Sequence, residues 1–214
     1  MASSIIHMCI AKKINEKLKI KDENMLLLGS IAPDISKHLG ETKTRSHFLT
    51  DNKKIDINSF LDKYKTKLNN PFLLGYFIHL YTDFLWDKYF IVDIVSNGTI
   101  KLLNGDEIEN SPELYKKLIY NDYTNLNIQL IDEYGLDLSL FYNEAVIPKI
   151  EMDEIPVNQL SKLLDQTSLI IANTKVNKAY TFTLDNIKPF IETSSLLILS
   201  VINEIIGNNI YNFD

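Results

Sequence analysis

The chain has 214 residues, of which 45% are hydrophobic and 23% charged, and its net charge is −6. This suits one soluble globular domain with a substantial core, and with Arg45 as the only arginine it argues against affinity for extended nucleic acid. The lone Cys9 excludes an internal disulfide and is expected as a buried thiol in a reducing compartment.

The opening MASSIIHMCIAKK has no basic residue ahead of its short apolar run, which His7 interrupts, so it does not read as a secretion signal. Ser3 and Ser4 cap a predicted helix through about Leu18, with Ile5, Ile6, Cys9, Ile10 and Ile14 as its inward stripe. Asp22 caps a second helix over ENMLLLGSIA. That helix ends near Pro33, because the residue before a proline is biased away from helical angles, and Asp34 falls just beyond it. Residues 40–54 read as a polar loop containing Ser46-His47-Phe48. Asp56 opens a helix to about Leu68, and Asn70-Pro71 opens another to about residue 91.

The longest apolar stretch, Phe72 to Trp86, is broken by His79 and Asp83. A central Asp costs about 2.5–3.5 kcal/mol on insertion scales, so no transmembrane segment is predicted and a cytoplasmic location is expected. From Val92 to Asn110 the dipeptides Asn97-Gly98 and Asn104-Gly105 flank TIKLL and predict tight turns, in a short hairpin or a lid over the preceding helix. Ser111-Pro112-Glu113 restarts a helix to Tyr134, which Gly135 stops, and further helices are predicted over 137–148, 157–175 and 186–206. AYTFTLDN, residues 179–186, alternates like a strand but has no partner with which to build a sheet. The expected architecture is an all-α, single-domain multi-helix bundle spanning residues 1–214.

Within GYFIHLYTDFLWDKYF, His79, Asp83 and Asp87 lie four residues apart and share one helical face. Burying an unpaired carboxylate costs several kcal/mol, so a bound cation, a partner side chain or solvent must balance these groups. His79 and Asp83 form an H-x-x-x-D pair, a spacing by which one helix presents two ligands to one ion; a His–Asp hydrogen bond in a core is the plain alternative. With Asp34, His47 and His7 added, two histidines and two carboxylates suit zinc or another borderline metal, and a fifth ligand allows a second ion. His38, beside Lys37 in a polar stretch, is expected at the surface. No His is followed by Asp, and there is no C-x-x-C, P-loop, dinucleotide glycine fingerprint or G-x-S-x-G.

The ordered set of His7, GSIAPDI with Asp34, SHF with His47, and GYFIHLYTD with His79 and Asp83 resembles the zinc-dependent phospholipase C and nuclease superfamily. The resemblance covers residues 5–90 and implies an all-helical fold that hydrolyses phosphate esters at a cluster of metal ions. It implies that Asp34, His47, His79 and Asp83 hold one zinc, and that Asp83 bridges to a second ion bound also by His7. Secreted members use a freed amino terminus as a ligand, and they bring later histidines for another zinc; here no histidine follows His79, so one or two ions are expected. Asp87, or Asp122 in IYNDYTNLN, stands as a substitute near the site. The plain readings are a solvated helix end paired with Lys88 or Lys63 for Asp87, and a hydrogen-bonded acid within a helix for Asp122.

The expected function is therefore a metal-dependent, phospholipase C-like hydrolase in which a zinc-activated water attacks a phosphodiester, with Asp34 as ligand or proton acceptor. The expected substrate is a small phosphoester or a phospholipid headgroup. The 22 Phe, Tyr and Trp residues form no identifiable cage for choline. Two alternatives stay open: a non-catalytic helical protein with a structural metal site or a hydrogen-bonded His/Asp core, and a nuclease or nucleotidase.

Overall fold

Ser3 begins the folded chain as a cap, its hydroxyl accepting the Ile6 N–H ahead of helix α1 (Ser4–Leu18), which ends where Lys19 enters the left-handed region at φ 58°. In this computed structural model residues 1–143 and 147–207 are described. α1 is buried on nearly all sides of its first two turns, from Ile5 through Ala11, because α2, α5, α6 and α9 all pack against it. Cys9 lies wholly inside, where burial pushes its thiol pKa up.

The Asp22 carboxylate caps α2 (Glu23–Ile31) by accepting the Met25 N–H. The chain does not leave helical conformation at Pro33 as expected. It tightens into a 3₁₀ turn over Ala32–Asp34 and continues as the short α3 (Ile35–His38), since proline is tolerated in a first turn, where its missing N–H has no helical partner to lose. A looping segment follows, tied by an isolated bridge between Leu49 and Ile55, and then α4 (Ile57–Tyr64), capped by Asp56. Asn70 caps α5 (Pro71–Leu85) through the N–H groups of Phe72 and Leu73. The helix predicted to about residue 91 ends its α-helical part at Leu85 and widens into a π turn over Trp86–Phe90.

Residues 92–110 form a three-stranded antiparallel meander, β1 (Val95–Ser96), β2 (Thr99–Lys101) and β3 (Glu107–Glu109), in the order β1-β2-β3. Asn97 and Gly98 both take positive φ, as the two-residue turn between β1 and β2 requires. The sheet is anchored to the later chain by the Leu103 N–H, which donates to the Tyr180 carbonyl, and none of its residues lines the cavity beside Asp34.

α6 (Pro112–Tyr134) starts at Ser111 and stops at Gly135, whose φ of 54° supplies the left-handed cap. The helix predicted over 137–148 is the short α7 (Ser139–Tyr142), and residues 144–146 of that prediction lie outside the described residues. α8 (Leu160–Ala172) and α9 (Leu184–Gly207) complete the bundle. α9 is the one helix among the described residues long and apolar enough to cross a membrane, a test that core helices of soluble proteins also pass. Its Ile187, Ile191, Ile198 and Ile202 are buried in contacts with α1, α5 and α6, while Leu196 and Leu197 are exposed.

Residues 179–186 form no strand. The Asp122 carboxylate, buried on α6, accepts hydrogen bonds from the backbone N–H groups of Tyr180, Thr181 and Phe182 and from the Thr181 hydroxyl. This replaces Asp122 as a candidate at the metal site with Asp122 as a clamp, its carboxylate spent on a segment that has no strand partner for its own N–H groups. Phe182 is thereby set against Trp86, Phe90 and Tyr123.

The tightest contact in the bundle is between α2 and α5. A Cβ on Gly75 would lie 2.1 Å from the Leu26 carbonyl oxygen and 2.7 Å from the Ser30 nitrogen, and one on Gly29 would lie 2.1 Å from the Phe72 carbonyl oxygen. Only glycine at both positions lets the two backbones meet. Gly75→Ala is expected to lower unfolding stability by about 3 kcal/mol, read as a shift in the urea midpoint, since rigid backbone must move to admit the methyl. Asp122→Ala is expected to cost about 3 kcal/mol, because three buried N–H groups lose a charged acceptor, and to make residues 173–183 the first site of limited proteolysis.

Candidate metal centre

Five side chains from four segments meet between α1, α2 and α5. His7 comes from α1, Asp34 from the 3₁₀ turn after α2, His47 from the loop before α4, and His79 and Asp83 from successive turns of α5. His7, His47, His79 and Asp83 have no solvent exposure, and Asp34 retains 8%.

The hydrogen bonds around the imidazoles fix their tautomers. His79 Nδ1–H donates to the Ser30 carbonyl in the last turn of α2 at 2.8 Å, a contact that the glycine crossing one turn earlier makes possible. The Ser46 hydroxyl donates to the Lys43 carbonyl, so its oxygen is free to accept from His47 Nδ1–H at 2.9 Å. Tyr76 holds Ser46 in place by donating to its carbonyl. Both rings therefore turn Nε2 to the interior, and these two nitrogens face each other at 3.1 Å.

Asp83 Oδ2 completes the convergence, 3.4 Å from His79 Nε2 and 3.6 Å from His47 Nε2, while Asp34 Oδ1 lies 3.7 Å from His47 Nε2. Asp83 Oδ2 and both nitrogens of His7 have no hydrogen-bond partner although they are buried. Donors about 2.0–2.1 Å from a zinc ion in tetrahedral array sit about 3.3–3.4 Å from one another, so the spacings among His47, His79 and Asp83 suit one ion, with Asp34 beside His47 as a further donor. Orphaned polar atoms of this kind are otherwise costly; a divalent cation between the imidazoles would satisfy Asp83 Oδ2, and one beside His7 would take one of its nitrogens.

His7 Nε2 lies 3.3 Å from Asp83 Oδ1, and the His7 ring stacks on His79 with centroids 3.8 Å apart. By proximity His79 belongs to both groups of donors, His7-His79-Asp83 and Asp34-His47-His79. Its Nδ1 is committed to Ser30, however, so one nitrogen remains and it serves one ion. Asp83, with two oxygens, is the residue able to reach a second ion beside His7. Its Oδ1 is oriented by the Ala2 N–H at 2.7 Å.

Asp87 is placed differently from His79 and Asp83. It stands past the end of α5 in the π turn, half exposed, where its carboxylate meets the Met1 ammonium at 3.1 Å rather than Lys88 or Lys63. It joins neither group of donors, and nor does Asp122. His38 is partly buried beyond the cluster, where burial and Lys37 lower its pKa. Sequence reasoning missed Lys43, whose ammonium is bonded to Asp34 Oδ1. It sits in a loop without periodicity, and the ETKTRSHF pattern drew attention to His47 alone.

The electrostatics favour a cation. Burial, aided by neighbouring His79 and opposed by Asp83, pushes His7 down to about 4; burial and His79, opposed by Asp34, push His47 down to about 3. Both are neutral at pH 7. Burial works against the Asp34 and Asp83 carboxylates, but Lys43 outweighs it for Asp34, and His7 and His79 outweigh it for Asp83, so both stay ionised well below the usual range.

In the metal-free chain, imidazoles held neutral contribute stability that is complete above pH 6.5 and is lost as pH falls from 6.5 towards 4 for His7 and towards 3 for His47. The expected loss by pH 4.5 is about 2–3 kcal/mol from His7 alone. A urea midpoint that stays constant between pH 7.5 and 4.5 in chelator-treated protein would contradict it.

No curated protein and no solved structure matches the chain. A family model does, and the match holds all five converging residues but excludes α6, α8 and α9. Residues 6–88 match the model described as zinc dependent phospholipase C, so that segment of the chain is similar to the zinc-dependent phospholipase C family.

Proposed function

We propose that the chain is a metal-dependent hydrolase of phosphate esters, acting on a phosphodiester in the manner of a phospholipase C. The observation that carries this reading is the convergence of His47 Nε2, His79 Nε2 and the unpartnered Asp83 Oδ2 beside a cavity that Asp34 also lines. Zinc held by Asp34, His47, His79 and Asp83, with a second ion at Asp83 and His7, supplies Lewis acidity, which lowers the pKa of a water towards about 7 and offsets phosphoryl charge.

The chain's own residues do the rest. Ser30 and Ser46 hold the two imidazoles in the tautomer that ligates, and the Ala2 N–H fixes the Asp83 carboxylate. Asp34 is the one member of the cluster that reaches the cavity, so it orients whatever enters. Its low pKa, set by Lys43, makes it a weak base, which favours a ligand role over that of proton acceptor.

A structural ion is the competing reading, favoured by the complete burial of four of the five donors. The opening at Asp34 favours catalysis. A nuclease is disfavoured because Arg45 is committed to the Asp153 carbonyl, outside the cluster. The zinc-loaded chain is expected to hydrolyse a chromogenic phosphodiester, with turnover falling at least a hundredfold in Asp83→Asn while the far-ultraviolet circular dichroism is unchanged. A chain that retains stoichiometric zinc and shows no turnover would hand the site to the structural reading.

A further inference from the structure

A cavity of about 120 Å³ opens beside Asp34, walled on its far side by α6 and α8. Six of its residues carry its chemistry: Asp34, Lys37, Lys43, Tyr120, Asn127 and Thr167. Two ammonium groups thus face one carboxylate, in a chain whose net charge is −6. Lys43 donates to Asp34 Oδ1 and lies 3.0 Å from the Met1 sulfur, a weak acceptor, so its three hydrogens are not all well used. Lys37 lies over the Tyr120 ring at 5.1 Å and has no carboxylate partner among the described residues.

The deeper wall has an unmet polar demand. Asn127 Oδ1 and Thr167 Oγ1 are buried without any hydrogen-bond partner, on residues only 3% and 2% exposed. A native interior rarely leaves two such atoms beside one cavity unless a ligand or water serves them. An amide oxygen accepts and a hydroxyl does both, so the complementary group must donate a hydrogen, as the hydroxyl of an uncharged alcohol does. A quaternary ammonium, with no hydrogen to donate, leaves both unsatisfied.

From these features we infer that the cavity is the subsite for a small phosphate ester of a hydroxyl-bearing alcohol, with Lys43, aided by Lys37, as the anion-binding residue and Asn127 and Thr167 reading the hydroxyls. This deepens the phosphoesterase reading and rests on it. The volume lies below the roughly 300–1,000 Å³ typical of sites that enclose a drug-sized molecule, so a phosphorylated headgroup fits and acyl chains stay outside. Lys43 acts as a point charge on phosphate, in contact with substrate and with Asp34 together.

The test is isothermal titration calorimetry of the zinc-loaded full chain with glycerol 1-phosphate, phosphocholine and inorganic phosphate. Glycerol 1-phosphate is expected to bind one per chain and at least tenfold more tightly than phosphocholine. Lys43→Met should weaken glycerol 1-phosphate and inorganic phosphate at least tenfold with zinc content unchanged, and Lys43→Arg should restore most of that affinity. Thr167→Val should weaken glycerol 1-phosphate and leave inorganic phosphate untouched. Equal affinity for phosphocholine, or full affinity in either Lys43→Met or Thr167→Val, overturns the assignment. Thr167→Val reads the cavity independently, so it decides the matter if Lys43→Met fails to fold.

Sedimentation with phosphatidylglycerol vesicles tells the two sources of this chemistry apart. Binding there but not to phosphatidylcholine vesicles assigns a lipid headgroup, binding of the free ester alone assigns a soluble substrate, and binding of neither overturns the proposal. Selective binding without turnover of the chromogenic phosphodiester removes the hydrolase reading and leaves the subsite standing. Turnover without selective binding removes the subsite alone.

Discussion

The meeting of α2 and α5 at Gly29 and Gly75 is the constraint on which the other features depend. Two helix backbones in atomic contact leave no slack along their shared axis, so the residues that follow each glycine are placed as rigidly as the glycines themselves. Ser30 is the next residue after Gly29, and His79 is one turn after Gly75, which is why the carbonyl of one reaches the ring nitrogen of the other. The 3₁₀ turn that carries Asp34 leaves directly from the end of α2, and Asp83 lies one further turn along α5. A separation greater by the radius of a methyl group would detach the histidine from its orienting carbonyl and spread the donors beyond the span of one ion.

Such a cluster is expensive without a cation. Three imidazoles and two carboxylates occupy a volume from which water is excluded, with lone pairs turned towards each other. The fold meets part of this cost by keeping His7 and His47 neutral and by giving Asp83 a backbone N–H and Asp34 an ammonium. What remains is a stored affinity: the donors are preorganised and already desolvated, so a divalent ion entering the cluster regains interactions the metal-free chain has given up.

Much of the arrangement was legible in the sequence because it is periodic or capped. The four-residue interval between His79 and Asp83 survives translation into a helix, and Asn70-Pro71 marks where that helix starts. The same interval failed at Asp87, since a π turn replaces the α-helix just after Leu85 and the side chain meets the Met1 ammonium. Asp122 misled for a different reason: a carboxylate among aromatic residues looks the same whether it binds a metal or clamps a distant loop, and its partners lie 58 to 60 residues away. Lys43, Ser30 and the Ala2 N–H escaped notice altogether, because contacts between loops, carbonyls and backbone amides leave no spacing to detect. Pro33 was read as a stop, whereas the chain absorbs it in a 3₁₀ turn and thereby keeps Asp34 tucked inward.

The ligands and the far wall of the cavity come from different stretches of chain. The five donors lie within the first 83 residues, whereas Tyr120, Asn127 and Thr167 belong to α6 and α8. α6 packs against α1, and α8 against α3 and the turn that carries Asp34, so both helices meet the donor-bearing scaffold without supplying a donor. The cluster thus draws its donors from the first helices, and the cavity beside it draws its far wall from later ones. A substitution on the inner faces of α6 and α8 therefore alters the cavity wall without replacing any of the five donors.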